Sequence, residues 1–181
     1  RQTVEAFEKI QTSPTWKRAQ ERDEFEQLLV RTNQWIQETR GVLELVDVEV
    51  RVDVESEPGV RITGYMDRLE RAVGEGGEEG GLRVIDLKTG SSKPSDEETS
   101  EHPQLMAYQL VLAHGELQQE GGLTKVVSAS QGGERDGATL VYPGTDTKKI
   151  GTADQARKED EELAEFAALL PPLLDELAGP R

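Results

Sequence analysis

The sequence contains no cysteine. Disulfides, thiolate nucleophiles, zinc–thiolate sites and iron–sulfur clusters are therefore excluded. A reducing compartment such as the cytoplasm is compatible with that absence. No apolar run approaches the ~20 residues that cross a bilayer, so no membrane partner is expected. The chain opens Arg1-Gln2-Thr3, with neither a start methionine nor a signal-peptide pattern. A segment of a longer polypeptide is expected. A positive excess is missing as well, because the formal net charge is −15. Holding nucleic acid unaided takes a basic surface, and this chain does not supply one.

What is present is patterned. Of the 181 residues, 34% are apolar and 31% charged, enough for one domain with a core. The acidity is uneven. Residues 152–181 carry Asp154, Glu159, Asp160, Glu161, Glu162, Glu165, Asp175 and Glu176 against Arg157, Lys158 and Arg181, whereas residues 61–90 are close to balanced.

Ser13-Pro14 is a helix-start signal. Phe25, Leu28, Leu29, Thr32, Trp35 and Ile36 then recur on one helical stripe, facing a core, and Gly41 is placed to stop the helix. The period next changes to two. Val46, Val48, Val50, Val52 and Val54 alternate with charged residues, as in a strand with one buried face. A turn at 55–59 and a return strand over 60–71 make a hairpin, and a Gly/Glu loop at 74–81 leads to a third, apolar strand over 82–88. After a polar loop at 91–101, Pro103 opens a helix to about His114, placed as a crossover. Strands are expected at 124–129 and 138–142 with a Gly-rich turn at 131–137 between them, and helix again from Ala153. Leu163, Phe166, Ala167, Leu170, Leu173, Leu174 and Leu177 keep helical spacing there, and Pro171-Pro172 should kink or break that helix. The fold class is mixed α/β, a central mixed sheet flanked by helices. The expected division is a helical part over 1–41, a sheet core over 42–150 and a C-terminal helix over 151–181.

Three short stretches carry chemistry. In Ile85-Asp86-Leu87-Lys88-Thr89-Gly90, Asp86 and Lys88 share a face with Leu82 and Val84. A surface ion pair is the ordinary use of that spacing. Asp67, in Gly64-Tyr65-Met66-Asp67-Arg68, lies near the end of the preceding strand and can approach Asp86 if the strands are neighbours. Two carboxylates beside a lysine suit a hard divalent cation and a phosphate, because such cations prefer oxygen ligands. A glycine at Gly64 permits close approach of backbone or ligand. In His102-Pro103-Gln104-Leu105-Met106-Ala107-Tyr108, Gln104 and Tyr108 share a helical face. They either reach a nucleic-acid backbone or are a solvent-facing amide and an interfacial phenol.

In this order, "GYMDR", "VIDLKTG" and "HPQLMAY" resemble the RecB-type branch of the PD-(D/E)XK nucleases, closely over residues 46–111 and more loosely through "GATLVYP" at 137–143. The chain is most similar to the C-terminal nuclease module of actinobacterial UvrD/REP-type helicase–nucleases, in which a superfamily 1 helicase is fused to such a domain. The resemblance implies Asp67 and Asp86 as metal ligands, completed by the backbone carbonyl of Leu87, with Lys88 as the catalytic lysine. Gln104 and Tyr108 match the motif that positions DNA and supports the centre. Arg68 is expected to pair locally with an acid, and Thr89-Gly90 to shape the turn. The implied activity is Mg²⁺- or Mn²⁺-dependent hydrolysis of a DNA phosphodiester. The implied setting is a cytoplasmic, ATP-dependent helicase–nuclease that processes single-stranded ends in double-strand-break repair and recombination. An inert nuclease-like scaffold that guides DNA is the alternative. The family ordinarily adds a histidine ligand from an upstream helix. His102 and His114 lie downstream, so that ligand is expected ahead of Arg1 or is absent, with Glu24 or Glu26 as substitutes.

Overall fold

The valine alternation and the hairpin it predicts form the longest feature of the molecule. The structure, a computed structural model, describes residues 15–57, 59–114, 117–118, 135–144 and 149–178. Strand β1 (Leu43–Glu57) pairs antiparallel with β2 (Val60–Val73), with Gly59 at φ 83° in the turn. β2 pairs antiparallel with β3 (Glu79–Leu87). Two helices, α2 (Asp96–Ser100) and α3 (Pro103–His114), cross over to β5 (Arg135–Tyr142), which runs parallel to β3. Helix α1 (Thr15–Thr39) precedes the hairpin, β4 (Leu117–Gln118) edges β1, and β6 (Gly151–Gln155) edges β5 ahead of α4 (Asp160–Ala178). The sheet order is β4-β1-β2-β3-β5-β6, a six-stranded mixed sheet with helices on it, as expected.

Alternation divides β3 and β5 between two layers. Leu82, Val84, Ala138 and Leu140 pack with Val50, Val52, Met66, Leu105 and Val111 beneath α3. Ile85 and Val141 face the other way, onto Trp35 of α1. The sequence stripe on α1 is its less exposed face, and the helix ends before Gly41, which takes φ 83°. Met106 and Leu110 on the outer side of α3 receive Leu163 and Ala167 of α4. Side chains buried to this degree each contribute about 1.5–3 kcal/mol, so α3 is clamped from both sides.

Several expectations are corrected. Residues from Ala153 begin as strand, not helix: Ala153 and Gln155 turn inward, Thr152 and Asp154 outward, and the backbone completes a ladder with β5. The sheet core thus runs to Gln155. The Gly-rich segment is not all loop, because β3 starts at Glu79 after a 3₁₀ turn at Glu75–Gly77. The polar loop at 91–101 contains α2, which a capping box closes: Ser95 Oγ accepts the Glu98 N–H, and the Glu98 carboxylate accepts the Ser95 N–H. The Ser95 N–H and the Ser95 hydroxyl, both donating to the carboxylate, hold the Glu98 carboxyl below its usual range. Pro171-Pro172 does not break α4; among its described side chains Leu163, Phe166, Ala167 and Leu170 pack, Leu173 is exposed rather than core, and the side chains of Leu174 and Leu177 lie outside the description. Within the expected turn at 131–137, Arg135–Gly137 belong to β5. The strand expected at 124–129, Ser13-Pro14 and residues 131–134 lie outside the described residues.

Candidate active site

The site begins where the β2 ladder is irregular. Val48 pairs with Arg68 and Val50 with Met66, so Glu49 and Asp67 stand between them as unpaired positions. Glu49 takes φ 52°, the one described non-glycine residue with positive φ, a conformation costing about 1–2 kcal/mol. The break has a visible effect on packing. Met66 and Leu69 both enter the core beneath α3, although residues three apart on a regular strand face opposite ways. It also marks where Val48 leaves the alternation and becomes exposed. The β2–β3 pairing ends at Arg68–Ile85, so Asp67 and Asp86 are the next residues on each strand. There the Asp67 carboxylate replaces the ladder: Oδ2 accepts the Leu87 N–H at 2.7 Å.

Asp86 is the centre, 5% exposed. Its Oδ1 accepts the Tyr108 hydroxyl at 2.6 Å and the Gln104 amide at 3.0 Å. Its Oδ2 faces the Lys88 ammonium at 2.7 Å and has no hydrogen bond of proper geometry. Lys88 also donates to Gln104 Oε1 at 2.6 Å, and Gln104 Nε2 lies 2.8 Å from the Tyr108 oxygen. One turn of α3 thus contributes an amide whose carbonyl end takes the lysine and whose NH₂ end takes the aspartate. The helical spacing that placed Gln104 and Tyr108 on one face aims that face at Asp86, not at solvent. The alternation that placed Asp86 with Lys88 and Val84 aims both into the same layer. Arg68 pairs with the buried Glu70, as expected.

Burial, then the hydrogen bond to Asp86 and its charge, with a smaller push from Asp67, drive the Tyr108 pKa upward, so the phenol keeps its proton and donates. Tyr142, the inward neighbour of Leu140 on β5, is likewise raised by burial and by Asp86, against an opposing Lys88. His102 is lowered, first by burial and then by Lys88, with Asp86 opposing, and its buried Nδ1 has no hydrogen-bond partner. Neither His102 nor Tyr142 was singled out from the sequence as a site residue. The signals were present: His102 opens the "HPQ" stretch, and Tyr142 alternates with Leu140 on a strand parallel to β3. Glu24 and Glu26 are not brought here. Glu24 accepts from Gln20 and Glu26 pairs with Arg22 on their own helix, beyond the opposite sheet face. Gly64, where a Cβ would meet no atom within 4 Å, leaves the β2 flank open.

Among the described residues no three of His, Cys, Asp and Glu gather as a ready metal cage. The donors at hand are all oxygen: Oδ2 of Asp86, which faces Lys88 without a hydrogen bond of proper geometry, and the Asp67 carboxylate. That set fits Mg²⁺ or Mn²⁺, since Mg²⁺ is commonly held by one or two carboxylates and keeps several waters. No helix among the described residues is long and apolar enough to cross a membrane.

No curated protein matches the chain with significance. The family model of the PD-(D/E)XK nuclease superfamily matches residues 1–181; nucleases of this kind generally use Mg²⁺ or Mn²⁺. The six-stranded mixed sheet flanked by helices is consistent with that fold, and the chain belongs to the PD-(D/E)XK nuclease superfamily.

Proposed function

We propose that the chain is a metal-dependent deoxyribonuclease module. Asp67, Asp86 and the Leu87 backbone carbonyl would hold Mg²⁺ or Mn²⁺. Bound there, the cation supplies neutralisation of phosphoryl charge and a more acidic water. Lys88 is the catalytic lysine, a mobile positive charge for a water or a phosphoryl oxygen at the mouth of the cluster. Gln104 holds Lys88 and Asp86 in register, and the protonated Tyr108 keeps the Asp86 carboxylate oriented. Leu87 N–H does the same for Asp67. The observation that carries the reading is this convergence of acids, lysine, amide and phenol from β2, β3 and α3 onto Asp86.

The substrate is DNA, presented as single-stranded ends. With a net charge of −15, the module relies on another body to bring the strand. A helicase motor in the same polypeptide or a partner subunit fits that need, and places the activity in cytoplasmic double-strand-break processing, repair and recombination. A catalytically inert scaffold that guides DNA is the competing reading, favoured by the missing third protein ligand among the described residues.

Cleavage of end-labelled single-stranded DNA with Mg²⁺ or Mn²⁺ separates the two. Asp86→Ala and Lys88→Ala are each expected to lower the rate about 10²–10⁴-fold, the range for removing a positioned catalytic group, and chelation to abolish it. Equal cutting by both variants ends the enzymatic reading, and absence of cleavage by the intact parent supports the scaffold.

A further inference from the structure

Directly after Lys88 the chain leaves the sheet as an exposed loop, Thr89-Gly90-Ser91. Two observations set this loop apart. The first is the direction of its peptide groups. The carbonyl oxygens of Thr89 and Gly90 both lie 3.4 Å from where a Cβ on Gly144 would stand, so both carbonyls turn toward the segment that follows β5. In a trans peptide the N–H points opposite to the carbonyl it adjoins. The N–H groups of Gly90 and Ser91 therefore both turn away from Gly144, and neither has a hydrogen-bond partner among the described residues. Successive N–H groups turned to one side make an anion-binding concavity. The second observation is the glycine itself. Gly90 does not take the left-handed φ that favours glycine, and a Cβ there would meet no atom within 4 Å. The packing of the chain does not call for a glycine at this position, which leaves its other use, close approach of a ligand to the backbone. Lys93 stands exposed on the same loop, and its ammonium uses one of its three donors on the Thr152 carbonyl, at 3.3 Å.

We propose that the Gly90 and Ser91 N–H groups, with the Lys93 ammonium, bind the phosphate of the substrate strand that neighbours the scissile one. The proposal deepens the nuclease reading and rests on it for the identity of the ligand. Distance supports it. The Cα atoms of Lys88 and Gly90 are at most about 7 Å apart, a span that one nucleotide covers. A phosphodiester facing Lys88 thus places its neighbour over Gly90. Neutral donors also hold a phosphate without a basic surface, as a chain of net charge −15 requires. Phosphate contacts fix register and orientation and carry no sequence information directly. The loop therefore sets which linkage of the strand reaches the acids, whatever the bases are.

The test uses wild type, Gly90→Val and Lys93→Ala. Single-stranded DNA carrying one uncharged methylphosphonate linkage, moved through every position, is cut with Mg²⁺. The products are sized, so that each cut is placed relative to the neutral linkage. Wild type is expected to cut about 10- to 100-fold more slowly at the linkage beside the neutral one, on one side only. Gly90→Val, whose side chain stands in the path of the phosphate, should show that loss with the unmodified strand and no further loss with the neutral linkage. Lys93→Ala should show a smaller loss and a smaller sensitivity. Both positions are exposed and uncrowded, so melting curves of the three proteins should coincide within a few degrees. Equal tolerance on both sides of the cut in wild type, or full sensitivity in either variant, overturns the proposal. Absence of cleavage by wild type overturns the nuclease reading instead. Phosphate capture is then read from competition binding of the same series with Ca²⁺, where an affinity indifferent to the neutral linkage at every position overturns it as well.

Discussion

Asp86 shows how much one residue's neighbours decide. A carboxylate this buried is costly unless paired and hydrogen-bonded, and here Lys88, Gln104 and Tyr108 supply both. Outer partners of metal ligands typically carry 10- to 100-fold in metal affinity or activity. Tyr108→Phe should therefore raise the Mg²⁺ concentration for half-maximal cleavage by about 10- to 100-fold, read by metal titration of the rate. An unchanged midpoint would mean that the phenol does not orient Asp86. His102 yields a second prediction. Its folded pKa is depressed by burial and by Lys88, so the native state refuses a proton that the unfolded state accepts. Stability therefore falls as pH drops below about 6.5, the unfolded value, and stops falling once the folded pKa is passed. His102→Gln should remove this slope, so that the difference in unfolding free energy between the two proteins varies with pH in that window and is flat above it. Denaturant midpoints from pH 5 to 8 check this, and parallel curves refute it. Asp86, Lys88, Gln104 and Tyr108 come together as alternation and helical spacing suggest, whereas Asp67 reaches the cluster from an unpaired ladder position. His102 and Tyr142 were not readable, because their importance comes from which elements pack beside them.

At the scale of elements, the hairpin, the third strand and the crossover helix followed from periodicity. Strand β6 did not, since five residues whose inward positions are a small Ala153 and a polar Gln155 carry little pattern, and its strand character comes from pairing with β5. Its last residue has a role that composition hides. Gln155 is 1% exposed; its amide donates to the Thr99 and Ser100 carbonyls at 2.9 and 3.2 Å, and its own oxygen accepts from the fully buried Gln109 at 2.8 Å. It thus ties the α2–α3 turn, from which Gln104 emerges, to the sheet edge. Gln155→Leu strands at least two of these buried partners, at about 1–3 kcal/mol each. A destabilisation of about 2–4 kcal/mol is expected, with amide exchange at residues 99–102 accelerated more than in β2 or β3. Uniform acceleration would show that the bond supports global stability and not the turn. The irregular ladder at Glu49 and Asp67 was equally invisible, because valine alternation continues straight through it.

Charge belongs to the whole molecule. The acidic excess was plain in the sequence, and so was its uneven spread, part of it in the last 30 residues, where Lys158 and the Glu159 N–H hold the Glu162 carboxyl below its usual range. What composition could not show is that the cluster itself combines the Asp67 and Asp86 carboxylates with one ammonium, Lys88. A strand approaching this site meets a domain of net negative charge, in which Lys88 and whatever cation the acids hold are the attractive charges of the cluster. Affinity of the isolated chain for DNA should then be weak and only mildly salt-dependent, with a log–log slope near −1 if about one or two phosphates are neutralised. Tethering should compensate. A linked module that already holds the strand turns capture into an intramolecular event, worth 10²–10⁴-fold without any new contact at the site. Fusing a basic single-strand-binding domain through a flexible linker is expected to lower KM for long single strands by about 10²–10⁴-fold. Oligonucleotides too short to occupy both modules should gain nothing, and Asp86→Ala in the fusion should abolish cleavage while leaving binding. An equal gain for short and long strands would show that the added charge acts by raising local affinity and not by delivery. A steep salt slope in the unfused chain would show that the domain carries its own DNA track.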